Sequence, residues 1–264
     1  MKKILITRFA IELDSSFCFF KTKEGVTWFI HRLNLFNKTC LPSILDQEVL
    51  PSKWFIFIAK NEFFRSELAA VTESVDYIKI IEIEEYKPFK EIVVDYLQEF
   101  NLLQSVTTRL DCDDALYPDY FKRLESIYND KSIDYLFEPQ KGLSLQLFDN
   151  TIKRAAYIKK LLPPFLSFIN HSGQNLHVFS FDHDKWPQHI VKNTYNKSPL
   201  WVQISHEINV SNKFGWGWMV QSVFEINPMK VQKLFPHLEA LNMHKLKLAI
   251  TNFINYAYRK IYVK

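Results

Sequence analysis

Thr107-Thr108-Arg109-Leu110-Asp111-Cys112-Asp113-Asp114-Ala115 is the stretch around which the rest of the chain can be organised. Ser105 to Leu110 has the residues of a short buried strand, and three carboxylates follow within four positions. After Tyr117-Pro118, the residues Tyr120, Phe121, Leu124, Ile127 and Tyr128 recur at helical spacing. Carboxylates clustered at the end of a buried strand are costly if unpaired. They become favourable when they hold a divalent cation that in turn holds phosphates.

Upstream, Phe89, Ile92, Val93, Tyr96, Leu97, Phe100 and Leu103 form one apolar helical stripe leading into that strand. Before it come a strand over Tyr77–Ile83, a helix over Phe63–Val71 and the apolar run Trp54–Ala59. A run apolar at every position suits a strand covered on both faces. Leu41–Gln47 reads as a short helical segment, Val26 to about Asn37 as a helix, Asp14–Ser16 as a turn and Lys3–Phe9 as a first strand. Strands and helices thus alternate up to the acidic loop. That order predicts right-handed crossovers and a mainly parallel sheet. Ligands of such sheets sit beyond the carboxyl ends of the strands. Thr7-Arg8 and the acidic loop both fall at predicted strand ends, so they are expected to face one pocket.

Downstream, the pattern changes. Ile133–Phe137 and Leu143–Phe148 read as strands around a Lys141-Gly142 turn, and Pro163-Pro164 breaks the chain. Four histidines, a polar stretch over Lys192–Ser198 and a mixed strand and loop over Pro199–Asn209 follow. From Val231 onward the chain reads as helices. Beyond Glu239 it is basic and aromatic (Lys245, Lys247, Tyr256, Tyr258, Arg259, Lys260, Tyr262, Lys264) with no acid.

The 264 residues are 47% hydrophobic, enough for one large domain or two small ones. A net charge of +4 does not call for nucleic acid. Cys18, Cys40 and Cys112 show no CxxC spacing. They read as reduced thiols of a cytoplasmic protein. Ile4-Leu5-Ile6 is too short for a signal peptide, and no apolar stretch approaches the ~18 residues that span a bilayer.

The acidic loop carries the chemistry. A leaving diphosphate needs its charge neutralised, and Mn²⁺ or Mg²⁺ bound by carboxylates does this. In the D-x-D spacing of Asp111 and Asp113, one carboxylate can meet the metal and another the ribose or a water. The structural alternative is an Asp that caps the following helix. The glycine and terminal glutamate of a calcium-binding EF-hand loop are absent.

Thr107–Ala115 resembles the T-R-L-D-x-D-D-A signature of a bacterial rhamnosyltransferase family. Thr7-Arg8-Phe9, Arg32 with Phe36, Leu41-Pro42-Ser43 with Gln47, and Pro199-x-Trp201-x-Gln203-x-x-His206-x-x-Asn209 are similar to the same family. The resemblance spans most of residues 4–212; Glu207-Ile208 departs from the small residues expected after the histidine. It implies an α/β fold, a GT-A-like, Rossmann-type mainly parallel sheet flanked by helices, to which the residue pattern adds a C-terminal helical tail. The expected domains are a glycosyltransferase domain over 1–212 and a basic aromatic extension over 213–264. The first divides into a nucleotide-sugar-binding half (1–130) and an acceptor half (131–212).

The resemblance also implies roles. Asp113 would chelate the metal, Asp111 or Asp114 would contribute to the metal or the ribose, and His206 would complete the metal shell. Thr7 and Arg8 would contact the nucleotide, unless Arg8 only neutralises an acid. Arg109 would meet the phosphates or its own Asp neighbours. An inverting transfer needs a general base; Asp182, His183, Asp184 and Glu207 are alternatives. Trp186, Trp201, Trp216 and Trp218 are candidates for stacking on sugar faces, although most aromatics here belong to the core. The expected partners are a nucleotide-diphosphate-sugar donor and a glycan or glycolipid acceptor. The basic tail suits contact with an anionic membrane face. A binding module without turnover is the competing class. A nucleotidyltransferase or sugar-nucleotide hydrolase is a third, against which stands the lack of an early glycine-rich phosphate loop.

Overall fold

The computed structural model describes residues 1–11, 19–84, 87–98, 100, 102–128, 133–207, 214 and 224–240. The turn at Asp14–Ser16, Cys18, Asn209, Trp216, Trp218 and the tail beyond residue 240 lie outside them.

The first part of the chain alternates as its sequence predicts. β1 (Lys2–Ala10), α1 (Lys23–Leu35), α2 (Leu41–Leu45), β2 (Lys53–Ala59), α3 (Glu62–Thr72), β3 (Ile78–Ile83), α4 (Phe89–Leu97) and β4 (Ser105–Arg109) follow in order. β1 lies between β2 and β4, parallel to both, and β3 joins β2 in parallel. The Trp54–Ile58 run is fully buried because both faces of β2 are covered. Trp54, Ile56 and Ile58 pack with Phe29 and Phe36. Phe55 and Phe57 pack with Ile92 and Val93 of α4 and lie edge-on to Tyr96.

Helix boundaries shift for local reasons. α1 begins at Lys23, three residues before the predicted Val26, because the Thr22 hydroxyl caps it by accepting from the Gly25 N–H at 3.1 Å. It continues through a π-helical turn, Phe36–Cys40, straight into α2. α4 ends at Leu97 rather than reaching Leu103. The chain then turns, with Gln104 at φ 54° just before β4.

After β4 the chain leaves this sheet. β5 (Ala115–Leu116), α5 (Tyr120–Ile127), β6 (Tyr135–Pro139), β7 (Lys141–Phe148), β8 (Thr151–Lys159), β9 (Ser167–Asn170), β10 (Val191–Tyr195), β11 (Trp201–Ser205), β12 (Phe224–Ile226) and β13 (Glu239–Ala240) follow. β6, β9 and β10 complete a seven-stranded sheet, ordered β10-β6-β9-β4-β1-β2-β3, in which β9 alone is antiparallel to its neighbours. The others form a second, mostly antiparallel sheet, β12-β8-β7-β11-β5, with β13 beside β8. Its inner face packs Leu143, Leu145, Val202 and Ile204 against Leu35, Phe235 and Leu238.

The predicted Lys141-Gly142 turn is instead the start of β7, where the chain passes from one sheet to the other. Gly142 is needed because the Trp201 indole lies against it and overlaps the space of a Cβ. β8 and β10 were not expected as strands. β10 is mostly exposed and β8 alternates irregularly between exposed and buried positions, so neither shows a strong apolar signal. Among the described residues after Val231 the chain forms a 3₁₀ turn (Gln232–Leu234) and β13, not the expected helices. No helix among the described residues is long and apolar enough to cross a membrane.

Candidate active site

The acidic loop bridges the two sheets. The Leu110 N–H donates to the Ile6 carbonyl at 3.1 Å, which extends the β1–β4 pairing by one step. The Asp114 N–H then closes a turn onto the Asp111 carbonyl at 3.1 Å, and β5 enters the second sheet. The hydroxyls of the preceding strand anchor its surroundings. Thr107 accepts from the Val178 N–H at 2.9 Å, and Thr108 lies 2.7 Å from the Ser167 hydroxyl.

The three carboxylates have three environments. Asp113 is 2% exposed and paired with the Arg32 guanidinium of α1. Its Oδ2 is also 3.2 Å from His206 Nε2. Burial pushes its pKa up, but Arg32 and His206 outweigh burial and hold it below the usual carboxylate range. Arg32 is itself 3.0 Å from His206 Nε2 and lies over the Trp28 ring at 4.8 Å. Burial opposes its charge and the loop acids more than restore it.

Asp114 turns inward and accepts from the Ile204 N–H of β11 at 2.8 Å. Burial, then Asp113 and Asp111, push its carboxyl well above the usual range. Asp111 is partly exposed and pairs with Arg109 at 3.3 Å. Its Oδ1 is buried and meets no hydrogen-bond donor among the described residues. The Arg109 guanidinium lies 5.1 Å over the Phe179 ring.

The P-x-W-x-Q-x-x-H stretch divides its work. The Trp201 indole is fully buried, donates to the Pro139 carbonyl at 2.6 Å and stacks on Phe165, so it is a core residue. Gln203 accepts from the Lys160 ammonium at 2.5 Å. His206 reaches the acids. The Leu-Pro-Ser…Gln stretch braces the loop from behind. Ser43 accepts from the Leu116 N–H at 3.3 Å, and Gln47 donates to the Tyr117 carbonyl at 2.7 Å.

Residues 25–216, nearly three-quarters of the chain, match the family model described as "Putative rhamnosyl transferase". The chain belongs to this family. No curated protein matches it in sequence. Among solved structures, S. aureus TarS (residues 1–349) is 8% identical, with a TM-score of 0.46 over 77% of this chain and 60% of that one. HddC from Yersinia pseudotuberculosis is 11% identical, with a TM-score of 0.40 over 74% and 90%. GalNAc-T7 with UDP, GalNAc and Mn²⁺ is 12% identical, with a TM-score of 0.36 over 54% and 23%. The chain thus spans about 60% of the length of the TarS chain it resembles.

Within this family member the fold brings Arg32 and His206 to Asp113, and Arg109 to Asp111 in the same loop. Thr7 is buried, and its hydroxyl accepts from the Trp54 indole N–H at 2.9 Å. Arg8 is half-buried in β1, in register with Phe57 of β2. Asp182 and Asp184 are exposed, and Asp182 pairs with Lys185 at 2.7 Å. Glu207 is exposed and accepts from the Asp149 N–H at 2.9 Å. His183 feels the charges of Arg109, Asp111 and Lys160; burial first, then Arg109, lowers its pKa. Trp186 is buried and stacks on Phe168. Cys40 and Cys112 are buried free thiols, and burial raises both pKa values.

Two residues of the site lay outside the sequence reading. Lys160 is buried, and burial lowers its pKa against the opposing effect of Asp114. His31 lies beside Arg32, its ring centroid 5.2 Å from that of His206. Trp28, His31, Arg32 and Leu35 fall on one helical stripe, which was the available signal for His31.

Proposed function

We propose that the chain is a metal-dependent glycosyltransferase that moves a sugar from a nucleotide-diphosphate donor to a glycan or glycolipid acceptor. The observation that carries this reading is the meeting of Asp113 with Arg32 and His206, and of Asp111 with Arg109, where the chain leaves the C-terminal end of β4 for the second sheet. A partly buried acid loop beside two arginines is suited to a diphosphate and its counter-cation. The orphaned Asp111 Oδ1 and the mixed oxygen and nitrogen donor set fit a divalent cation. Asp113 and His206, 3.2 Å apart, would hold it with Asp111 alongside in the same loop, and Asp114 would lock the loop to β11. When bound there, a divalent cation would supply charge neutralisation for the leaving diphosphate.

The chain's own residues supply the rest. Arg109 binds donor phosphate, and Arg32 keeps Asp113 ionised. His183, held neutral near pH 7 by burial and Arg109, is the base. It takes the proton of the acceptor hydroxyl as that oxygen bonds to the sugar C1 and the bond from C1 to the diphosphate oxygen breaks. Asp182, committed to Lys185, and Glu207, committed to the Asp149 N–H, are less available. The family description supports a deoxyhexose such as rhamnose as the sugar. The basic tail beyond residue 240 would bring the protein to an anionic membrane face carrying the acceptor, on the cytoplasmic side.

The test is a thermal-shift panel of UDP-, GDP- and dTDP-sugars, with and without Mn²⁺. A ligand that binds only the folded state raises the melting temperature by mass action. One nucleotide should stabilise the protein in a Mn²⁺-dependent way, and Asp113→Asn should remove both the shift and donor cleavage. No shift with any donor, in folded protein, sinks this reading in favour of a glycan-binding module.

A further inference from the structure

His31, His206 and Glu207 come from two separate parts of the chain, α1 and the end of β11, and converge on one point. One potential ligand atom from each lies within 4.8 Å of the others. His31 Nε2 is buried and has no hydrogen-bond partner among the described residues. The two imidazole rings are tilted by 35° to each other, their centroids 5.2 Å apart. Glu207 is fixed by the bond its Oε1 accepts from the Asp149 N–H in the turn between β7 and β8.

We propose that these three side chains bind the same divalent transition-metal cation that the acid loop would hold through Asp113 and the shared His206, with His31 as a further ligand supplied by α1. Ligands about 2.1 Å from one ion lie roughly 3–4 Å from each other. Small rotations of these side chains therefore suffice to close the set. Two imidazoles and one carboxylate favour Mn²⁺ or Zn²⁺ over Mg²⁺, which prefers an all-oxygen shell. The site is continuous with the acid loop, because His206 Nε2 is 3.2 Å from Asp113 Oδ2. It rests on the transferase reading only for what the cation is used for. Binding of the ion is measured without any donor.

The experiment uses metal-stripped full-length protein. Equilibrium dialysis against Mn²⁺, Zn²⁺ or Mg²⁺ gives stoichiometry and affinity, and pulsed electron paramagnetic resonance of the Mn²⁺ form counts nitrogen ligands. One ion per chain is expected, with Mn²⁺ and Zn²⁺ preferred over Mg²⁺ and two imidazole nitrogens coupled to Mn²⁺. Loss of a group that only hydrogen-bonds to a ligand typically costs 10–100-fold in metal affinity. Loss of a direct ligand in His31→Ala should therefore weaken binding at least roughly tenfold and remove one nitrogen coupling. Glu207→Gln should weaken binding and leave both couplings.

A single nitrogen coupling in the wild-type protein overturns the proposal whether or not the variants fold. So does unchanged affinity in folded His31→Ala, or no metal binding at all. Metal bound through both imidazoles without cleavage of any sugar nucleotide keeps this site and overturns the transferase reading. Sugar transfer with only one nitrogen on the metal does the reverse.

Discussion

Arg32→Met is the substitution whose consequence follows most directly from the structure. The Asp113 side chain is 2% exposed and that of Arg32 12%, so their ion pair is screened little by water. Methionine keeps the contact with Trp28 and deletes the charge. Removing one partner of a buried pair costs about 3–5 kcal/mol, because the other charge is left without compensation. For a chain of this size that lowers the melting temperature by on the order of 10 °C. The pH dependence is specific to this cause. With Arg32 present, the Asp113 pKa is depressed. Its contribution is present above the unfolded carboxylate value of about 3.9 and is lost as pH falls through the folded pKa. Without Arg32, His206 alone opposes burial, so the pKa rises and the penalty grows as pH rises above about 4. The deficit relative to wild type should thus be largest at neutral pH and smallest near pH 4. Urea unfolding of wild type, Arg32→Met, Asp113→Asn and the double variant measures it, and the double variant should recover part of the loss. A deficit under about 1 kcal/mol that is flat in pH would refute a buried, compensated charge pair.

Other outcomes test other parts of the molecule. Burial lowers the His177 pKa to about 4. Between about 6.5 and 4 the unfolded chain binds the extra proton, so stability should fall by up to about 3 kcal/mol as pH drops through that window; His177→Leu should flatten this limb in acid-titrated melts. Asp114→Asn keeps the acceptor for the Ile204 N–H and should leave stability within about 1 kcal/mol of wild type. Asp114→Ala strands that N–H and should cost about 1–3 kcal/mol; equal effects of the two variants in urea would contradict the hydrogen-bond role. Gly142→Ala drives a methyl into the Trp201 ring and should cost about 1–3 kcal/mol, with a shifted tryptophan emission as a second readout.

The alternation from β1 to β4 was legible because helical stripes and continuous apolar runs are local properties. The acidic loop stood out because three carboxylates after a buried strand have few inexpensive environments. Both follow from the chemistry of neighbouring residues, and the order of elements then constrains the sheet. The second sheet was legible only in part. β7 and β11 fall on stretches that read as strand, but β8 alternates irregularly between exposed and buried positions, and Lys141-Gly142 has the composition of a turn. Only the Trp201 ring, placed from 59 residues further on, makes glycine a strand residue there. The three aspartates look alike in sequence. Folding gives Asp113 an arginine and a histidine, Asp114 a backbone N–H, and Asp111 a nearby Arg109 and an open oxygen. Those differences arise from long-range contacts that fix burial and partner. The same holds for His31, whose place beside His206 depends on the packing of α1 against the end of β11. The sequence by itself therefore determined the parallel α/β frame and the position of its acid loop. The tertiary structure decided which carboxylate is charged, which is structural, and which histidines meet, because burial and opposed charges are set by what packs across the gap.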